Sequence, residues 1–372
     1  MFRQEIAHST TIVVKVGSRI LTSPDNVPHT RRLRSLVDSI AILKRSGKRV
    51  LLVSSGAIAH GMQVLGLAKR PATIPAKQAC AAVGQIRLMN GYDTHFTRHH
   101  IPIGQVLLTW DDLRDKQRYL NLRNTLFQLL DCGAVPIINE NDSVGVEEIR
   151  FGENDTLAAQ ISLLVQADLF VNLTDINGLY DANPTTTPGA QQIPLVENIT
   201  AAVHKLASGS VSDISVGGMA TKLRAAEIAS KAGIFALIGD GYHRTLLEAL
   251  LDPKAGTLFL PRAKKMPARH RWIAFTGQPA GVLIIDDGAA HAIAKQGKSL
   301  LPAGIRNIVG SFKPGDMVDI QTENRQAVAR GLVNYSSDEA EKIAGCKTVD
   351  IAQRLGQKTF DEIVHRDNLV IL

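Results

Sequence analysis

The feature that most constrains the fold is the alternation of short apolar, β-branched runs with longer segments of helical periodicity. Six such runs lie at 11–16, 49–54, 104–108, 135–139, 169–173 and 235–238. Helices are predicted between and after them at 31–45, 77–96, 119–130, 157–165 and 222–232. Nearly continuous apolar strands separated by helices predict an α/β fold, a mostly parallel sheet sandwiched by helices. In such a fold ligands bind outside the carboxyl ends of the strands.

The residue composition of the sequence changes after residue 269. Glycine–proline turn signals become frequent, and short strands are predicted at 281–285 and 316–320. Residues 262–269 carry four basic residues and no acidic one, which is typical of a solvated linker. The predicted organisation has three parts: a large domain at 1–261, a linker at 262–270 and a small β-rich domain at 271–372.

The net charge of +7 is common among proteins that bind nucleic acid. Residues 270–372, however, contain 12 basic and 12 acidic side chains, and phosphate contacts need an excess of basic ones. The 3 cysteines lie far apart, and no apolar stretch reaches the roughly 18 residues of a membrane helix. Residues 1–10 lack a secretory signal. We therefore expect a cytoplasmic protein with no membrane partner.

Two lysines beside glycines are candidates for phosphate contacts. Lys15 follows the first β-branched run in Val-Val-Lys-Val-Gly-Ser, and Lys222 ends Gly-Gly-Met-Ala-Thr-Lys before an alanine-rich segment. Glycine lets backbone N–H groups approach a ligand, and a helix N-terminus attracts anions. Each lysine adds a full positive charge. Together they predict a site that holds a polyphosphate and stabilises a phosphoryl group during transfer.

Four further polar motifs follow predicted strands or begin a predicted helix. They contain Ser55, Asp142, the pair Asn154 and Asp155, and the pair Thr174 and Asp175. Taken singly, each motif also fits a tight turn, a polar loop or a helix cap. An aspartate set between the two lysines would orient their ammonium groups and keep both charged, and we expect this of Asp155.

Familiar nucleotide and metal motifs are missing from the sequence. The pattern Gly-x-x-x-x-Gly-Lys-Ser/Thr does not occur, and Gly239-Asp-Gly241 lacks the third glycine of a dinucleotide fingerprint. His95 and His99 have the spacing of metal ligands but no carboxylate at the position found in zinc enzymes. We expect that pair to lie on a helix surface, and we predict no metal-binding residues.

With these residues assembled, the chain resembles the amino acid kinase family. The motifs that carry the resemblance are Val-Val-Lys15-Val-Gly17-Ser, Val-Ser-Ser55-Gly-Ala-Ile-Ala, Ile-Asn-Glu-Asn-Asp142-Ser-Val, Phe-Gly-Glu-Asn154-Asp155-Thr-Leu, Leu-Thr174-Asp175-Ile-Asn-Gly-Leu-Tyr and Gly217-Gly-Met-Ala-Thr-Lys222. Residues 280–293 and 298–305 resemble the PUA domain that is attached to many members acting on glutamate. Val216 departs from the family pattern, in which a threonine precedes the two glycines.

The resemblance implies ATP-dependent phosphorylation of the side-chain carboxylate of L-glutamate, the first step of proline biosynthesis. It implies that glutamate is bound by Ser55, Asp142 and Asn154. It implies that ATP is bound by Lys15, Thr174, Asp175, Val216, Gly217, Gly218, Met219, Ala220, Thr221 and Lys222. A carboxylate with a reference pKa of ~4.3 is already ionised and needs no general base. We therefore expect Lys15 and Lys222 to neutralise the phosphoryl group while Asp155 holds their geometry.

The resemblance also implies partners. Mg²⁺ is expected with ATP, held mainly by phosphates and water. Feedback inhibition by proline and a homo-oligomer, dimer or tetramer, are expected as well. The acyl phosphate product reacts with water, so hand-over to a glutamyl phosphate reductase is expected. Two alternatives stay open: a sister kinase that acts on aspartate, N-acetylglutamate or carbamate, and RNA binding through the PUA-like domain, which the charge distribution disfavours.

Overall fold

The computed structural model describes residues 2–22, 29–145, 154–184, 186–208, 218–242, 244–252, 254–262 and 268–372. The chain forms two compact units. The first comprises residues 1–113 and 117–265, and the second comprises residues 114–116 and 266–372. Most of the predicted linker, residues 263–267, lies outside the described residues, so the linker stays a prediction.

The secondary-structure elements are numbered in chain order. The strands are β1 (Thr11–Val16), β2 (Arg49–Ser54), β3 (Ile103–Leu108), β4 (Val135–Glu140), β5 (Leu169–Thr174), β6 (Leu179–Tyr180), β7 (Gln192–Ile193), β8 (Leu195–Val196), β9 (Phe235–Asp240), β10 (Thr257–Phe259), β11 (Gly281–Ile285), β12 (Ile305–Gly310), β13 (Met317–Thr322), β14 (Ala327–Leu332) and β15 (Leu369–Ile371). The α-helices are α1 (Phe2–Ala7), α2 (Ser18–Leu21), α3 (Thr30–Arg45), α4 (Ala57–Val64), α5 (Ile74–Thr97), α6 (Trp110–Arg114), α7 (Lys116–Asp131), α8 (Asn154–Leu164), α9 (Ala201–Ser208), α10 (Met219–Lys231), α11 (Leu246–Leu251), α12 (Ala268–Arg271), α13 (Asp287–Gln296), α14 (Ser337–Ile343) and α15 (Ile351–Leu355). A π-helical turn lies at Trp272–Thr276, and 3₁₀ turns lie at Pro302–Gly304, Thr348–Asp350 and Arg366–Asn368.

The first unit is built on an eight-stranded sheet in the order β3-β4-β2-β1-β5-β9-β10-β8. Its strands pair in parallel, except that β10 runs antiparallel to β9. The predicted α/β fold is confirmed, and the six predicted strands end within two residues of those observed. Strands β6, β7, β8 and β10 were not predicted, because two or three residues are too few to show a hydrophobic period.

The strands at the centre of this sheet are buried along most of their length. Every residue of β4 and β5 is buried, as are all but the first of β1 and β2. Side chains from α3 and α5, among them Val37, Ile40 and Tyr92, share one apolar core with the strands. Burial on both faces explains why the strand sequences read as continuous apolar runs.

Helices α4 and α5 approach each other backbone to backbone. A Cβ atom on Gly61 would lie 1.8 Å from the carbonyl oxygen of Cys80, and one on Gly84 would lie 1.8 Å from that of Ala57. Any side chain at either position would therefore push the helices apart. Gly56, which precedes α4, has a φ of 106° that other residues rarely adopt. Gly56 therefore favours the turn that follows β2, and the two helix glycines allow α4 and α5 to pack closely.

The second unit has its own sheet and its own apolar core. Five strands lie in the order β12-β11-β13-β14-β15, with β11 and β13 parallel and the other pairs antiparallel. The core includes Leu283, Ile285 and Ile320 from the sheet and Ile343 from α14. The predicted β-rich second domain is confirmed. Among the described residues, no helix combines the length and the apolar character that a bilayer crossing requires.

Candidate active site

The polar motifs of the sequence meet at the carboxyl edge of the large sheet. Lys15 is the fifth residue of β1, and its neighbours in register are Val53 of β2 and Asn172 of β5. Since these strands are parallel, the segments that follow each of them leave the sheet at the same edge. Asp155 lies in the first turn of α8, and Lys222 lies in the first turn of α10. The structure brings all three ionisable side chains together.

Lys15, Asp155 and Lys222 form a buried ionic group that we name the cation cluster. Lys15 Nζ lies 2.6 Å from Asp155 Oδ1, and Lys222 Nζ lies 3.4 Å from Asp155 Oδ2. The exposed fraction of the three residues is 6%, 1% and 8% respectively. One carboxylate therefore bridges two ammonium groups, and the cluster keeps an excess positive charge in a poorly hydrated place.

Two uncharged side chains complete the surroundings of Asp155. Asn172 Nδ2 donates to Asp155 Oδ1 at 3.1 Å, and Thr221 Oγ1 lies 3.0 Å from Asp155 Oδ2. Burial alone would raise the pKa of Asp155, but the charges of Lys15 and Lys222 and the hydrogen bonds from Lys15 and Asn172 hold the pKa well below its ordinary value. Asp155 is therefore ionised at every physiological pH.

The pKa of Lys222 shows the opposing influences within the cluster. Burial lowers it most, the charge of Asp155 raises it, and the charge of Lys15 lowers it again, so that the net direction is downward. Asp155 is thus the main group that favours the protonated form of Lys222, with a smaller contribution from the charge of Asp175. An additional anion near Lys222, such as a phosphate, would act in the same direction.

Helix α10 offers an anion site at its N-terminus. It begins at Met219, three residues before the predicted start at Lys222, because Gly218 takes the extended conformation of an N-cap. Within the described part of the chain, no side-chain cap hydrogen bond is made at this end, and a Cβ atom on Gly218 would meet open space. Unsatisfied N–H groups and the helix dipole favour an anion there. The predicted nucleotide contacts Val216 and Gly217 lie outside the described residues.

The predicted nucleotide residues Thr174 and Asp175 lie at the end of β5. Thr174 Oγ1 donates to Asp175 Oδ1 at 3.0 Å, and Arg19 Nη1 lies 2.9 Å from Asp175 Oδ2. Burial would raise the pKa of Asp175, but the hydrogen bonds from Arg19 and Thr174 lower it overall. Arg19 belongs to the short helix α2 just after Lys15, so the ends of β1 and β5 are joined by this ion pair.

A chain of amide side chains lies beside the end of β2, and we name it the amide chain. Asn154 Nδ2 lies 3.0 Å from Ser55 Oγ and 3.1 Å from Asn139 Oδ1. Asn139 Nδ2 in turn donates to Gln85 Oε1 at 3.1 Å. With its nitrogen engaged by protein acceptors, Asn154 presents only Oδ1, a buried acceptor that has no partner among the described residues.

A cavity of about 230 Å³ lies next to the amide chain. Gln85 of α5 and Asp142, which follows β4, are among its lining residues. Asp142 is 6% exposed, and its Oδ1 has no partner among the residues that the structure describes. Burial raises the pKa of Asp142 to about 6, against the charge of Arg70, which lowers it. A buried carboxylate in this state favours a positively charged ligand.

The structure describes no site for a resident metal ion. In the described part of the chain, no group of three or more His, Cys, Asp or Glu side chains is placed to hold one. The expected pair on a helix surface is wrong, because His95 is buried within α5 and His99 lies just beyond the end of that helix. His99 Nε2 lies 2.7 Å from Asp38 Oδ1 of α3. Both oxygens of Asp155 are occupied by protein contacts.

Sequence reasoning did not single out Asn172 and Gln85. Asn172 is the one strongly polar residue between the apolar neighbours of its strand, and this placement is the signal in the sequence. The structure shows that the amide is 0% exposed, so its hydrogen bonds have to come from the protein or a ligand. Gln85 gives no comparable signal, because glutamine is ordinary on a helix and only the packing of α5 brings it to Asn139.

Two protein-family models match the chain. The amino acid kinase family matches residues 10–240, and the PUA domain matches residues 281–355. The large sheet, apart from β10, and the paired lysines at its carboxyl edge thus belong to the part of the chain that defines a kinase class.

Curated relatives extend the match to nearly the whole chain. A glutamate 5-kinase from Geobacter sulfurreducens is 47% identical over 97% of this chain and 97% of its own length. Glutamate 5-kinases from Pelobacter propionicus and Syntrophus aciditrophicus are each 45% identical, over 97% and 99% of this chain and over 97% and 96% of their own lengths. The chain belongs to the glutamate 5-kinases of the amino acid kinase family.

Proposed function

We propose that this protein transfers the terminal phosphoryl group of ATP to the side-chain carboxylate of L-glutamate and forms L-glutamyl 5-phosphate, the first step of proline biosynthesis. A carboxylate oxygen attacks the γ-phosphorus, the bond to the β,γ-bridging oxygen breaks, and ADP leaves. The observation that carries the proposal is the cation cluster, with two buried ammonium groups on one aspartate at 2.6 and 3.4 Å. Relatives named for this activity match along nearly the whole chain.

The cation cluster suits a reaction in which charge moves and no proton does. The substrate carboxylate is ionised at neutral pH, so catalysis depends on alignment and on neutralising the phosphoryl oxygens. Lys15 and Lys222 are proposed to face those oxygens with their remaining donor hydrogens. Asp155 holds both ammonium groups at a fixed separation, and its charge favours the protonated form of Lys222. The N-terminus of α10, which begins after Gly218, adds N–H donors for the nucleotide phosphates.

Glutamate, which receives the phosphoryl group, is proposed to bind at the cavity. Two buried oxygens, Asn154 Oδ1 and Asp142 Oδ1, have no hydrogen-bond partner among the described residues, and each requires a hydrogen-bond donor. The α-ammonium group of glutamate is such a donor. Ser55 and Asn154 are therefore proposed to orient glutamate with Asp142, as the family resemblance implies. Thr174 and Asp175 are proposed to contact the nucleotide.

Mg²⁺ is proposed to enter with ATP. Asp155 has no oxygen left for a metal, and Asp175 is paired with Arg19. The donors that remain are phosphate oxygens and water, which is how Mg²⁺ is often held at nucleotide sites. When bound, the ion would neutralise phosphate charge beside the two lysines.

One experiment tests the function. The purified protein with ATP, Mg²⁺ and L-glutamate should form an acyl phosphate that hydroxylamine traps as a hydroxamate, together with one ADP. Parallel reactions with aspartate, N-acetylglutamate and carbamate, read by ADP release, test the sister activities. Turnover of one of these in preference to glutamate would contradict the proposal.

The remaining expectations stay proposals with their own tests. Proline should lower the initial rate of hydroxamate formation. Sedimentation should give a mass above that of one chain if the protein is a homo-oligomer. Addition of a glutamyl phosphate reductase should shorten the lifetime of the product if hand-over occurs. Salt-dependent retention of RNA by the protein would support the alternative role of the PUA domain. A cytoplasmic location is proposed on the same family basis.

A further inference from the structure

Asn172 occupies an unusual place for an amide. It lies in the middle of β5, opposite Lys15 in β1 and Ile238 in β9, and it is 0% exposed. The residue on the other side of Lys15 is Val53, an apolar side chain of the kind that fills central strands. Burying an amide costs free energy unless its hydrogen bonds repay it.

The hydrogen bond that Asn172 makes is directed at the cation cluster. Its Nδ2 donates to Asp155 Oδ1 at 3.1 Å, and the same oxygen lies 2.6 Å from Lys15 Nζ. The donor is uncharged, so it anchors the carboxylate without competing with the lysines for charge. Asn172 Oδ1 has no hydrogen-bond partner among the residues that the structure describes. The side chain is therefore not there to satisfy neighbouring polar groups in the core, and its contact with Asp155 is the one that explains an amide at this position.

Asp155 receives a hydrogen bond from an uncharged donor, the Asn172 amide, at Oδ1. Thr221 Oγ1 lies 3.0 Å from Oδ2, but its single hydroxyl hydrogen also has the Gly218 carbonyl oxygen at 2.8 Å. Asn172 is therefore the uncharged group that holds the Asp155 carboxylate against rotation toward one lysine at the expense of the other. A small displacement of fixed charges at a reacting centre has a large effect on rate.

We infer that Asn172 is a positioning residue for phosphoryl transfer: by anchoring Asp155, it sets the separation of the two lysine ammonium groups. The inference rests on the proposed function of the cation cluster. Asn172 acts through Asp155, so its loss affects the rate of the chemical step and leaves the binding of glutamate and ATP nearly unchanged.

Two substitutions of opposite character test the role. Asn172→Leu keeps the branched shape and the number of side-chain heavy atoms but removes the donor, whereas Asn172→Ser stays polar but is too short to reach Asp155. Both should lower kcat per folded molecule about tenfold, with KM for glutamate and ATP within about twofold of wild type. A packing role predicts a different result, in which the leucine variant keeps wild-type kcat and the serine variant loses mainly stability.

Ser162→Ala is the matched control. Ser162 is equally buried on α8, and its hydroxyl donates to the Ala158 carbonyl at 2.8 Å, away from the cation cluster. This control should lose one buried hydrogen bond and some thermal stability but keep kcat.

Three outcomes would overturn the inference. They are a kcat within twofold of wild type in either variant, a loss confined to KM, and an equal loss of kcat in the control. If the wild type acts on another acid, the same comparison is made by ADP release with that acid, so failure of the proposed function is seen separately.

Discussion

Asp142 and Asp155 are both buried carboxylates, yet their pKa values are displaced in opposite directions. Asp155 sits between two ammonium groups and receives an amide hydrogen bond, so its pKa is lowered despite burial. Asp142 lines a cavity, one of its oxygens has no partner among the described residues, and its pKa is raised to about 6. The difference separates an anion whose partners are built into the protein from one whose partner is a ligand.

The largest effect on the reaction rate and on stability is expected when Asp155, the anion with partners built into the protein, is replaced. Asp155→Asn leaves two buried ammonium groups without their shared carboxylate, and Lys222, whose pKa burial already lowers, then loses its proton most readily. The rate should fall on the order of 10³-fold, and stability should fall by about 3–5 kcal/mol. Hydroxamate formation and urea unfolding measure the two effects.

Asp131→Asn is the control for that variant. Asp131 pairs with Arg49 at 2.9 Å on the surface, and an exposed pair contributes only about 0–1 kcal/mol. Equal losses in both variants would mean that Asp155 is no more than another ion-pair partner.

Removal of one cation should have the next largest effect. Lys222→Ala should lower kcat on the order of 10²–10³-fold, by analogy with the loss of one oxyanion-hole donor, because half of the fixed positive charge is gone. Lys231→Ala on the same helix removes an exposed lysine paired with Glu227 and should leave kcat unchanged. Full turnover by Lys222→Ala would remove this residue from the mechanism.

Substitution of Asp142, the carboxylate assigned to ligand binding, should change the affinity for glutamate and the pH dependence of that affinity. Asp142→Asn should raise KM for glutamate about 10- to 100-fold, the value of a hydrogen bond to a charged group, with KM for ATP as an internal control. In the wild type, KM for glutamate should rise as pH falls from 7 to 5, because Asp142 takes up a proton near pH 6. The variant should lack that rise, and an unchanged pH profile in it would assign the titration to another group.

The same variant should be more stable than the wild type above pH 6. The folded-state pKa of Asp142 is raised, so the stability linked to its protonation is present below the ordinary pKa and is lost as pH rises through about 6. The difference from the ordinary value corresponds to ~3 kcal/mol of stability at neutral pH that asparagine would restore. Urea unfolding at pH 4, near the ordinary pKa, and at pH 8 measures it, and a variant less stable than wild type at pH 8 would contradict the assignment.

The smallest effect is expected at the far end of the amide chain. Gln85→Leu removes the acceptor of Asn139, which in turn orients Asn154. One neutral hydrogen bond contributes about 1 kcal/mol, so KM for glutamate should rise roughly fivefold. Gln63→Leu, an exposed position on α4, should leave KM unchanged. An unaltered KM in Gln85→Leu would show that Asn154 is oriented without the contribution of Gln85 to the amide chain.

Much of the fold could be predicted because its signals are local. Central parallel strands are buried on both faces, so β1, β2, β4 and β5 read as apolar runs in the sequence itself. The start of α10 was placed three residues too late, because glycines at a helix start resemble a loop until the backbone of Gly218 is seen. Edge elements of two or three residues leave no periodic trace.

The sequence by itself determined the class of fold, the two lysines and the aspartate expected between them, because these depend on strand composition and on motifs contiguous in the chain. Only the tertiary structure decided that Asn172 donates a hydrogen bond to Asp155 and that Gln85 joins the amide chain through Asn139 and Asn154. It also decided the opposite pKa shifts of two similar aspartates. These pKa shifts depend on burial and on charges that are far away in the sequence, and both are set only when β1, α8 and α10 pack together. No local sequence pattern contains that information.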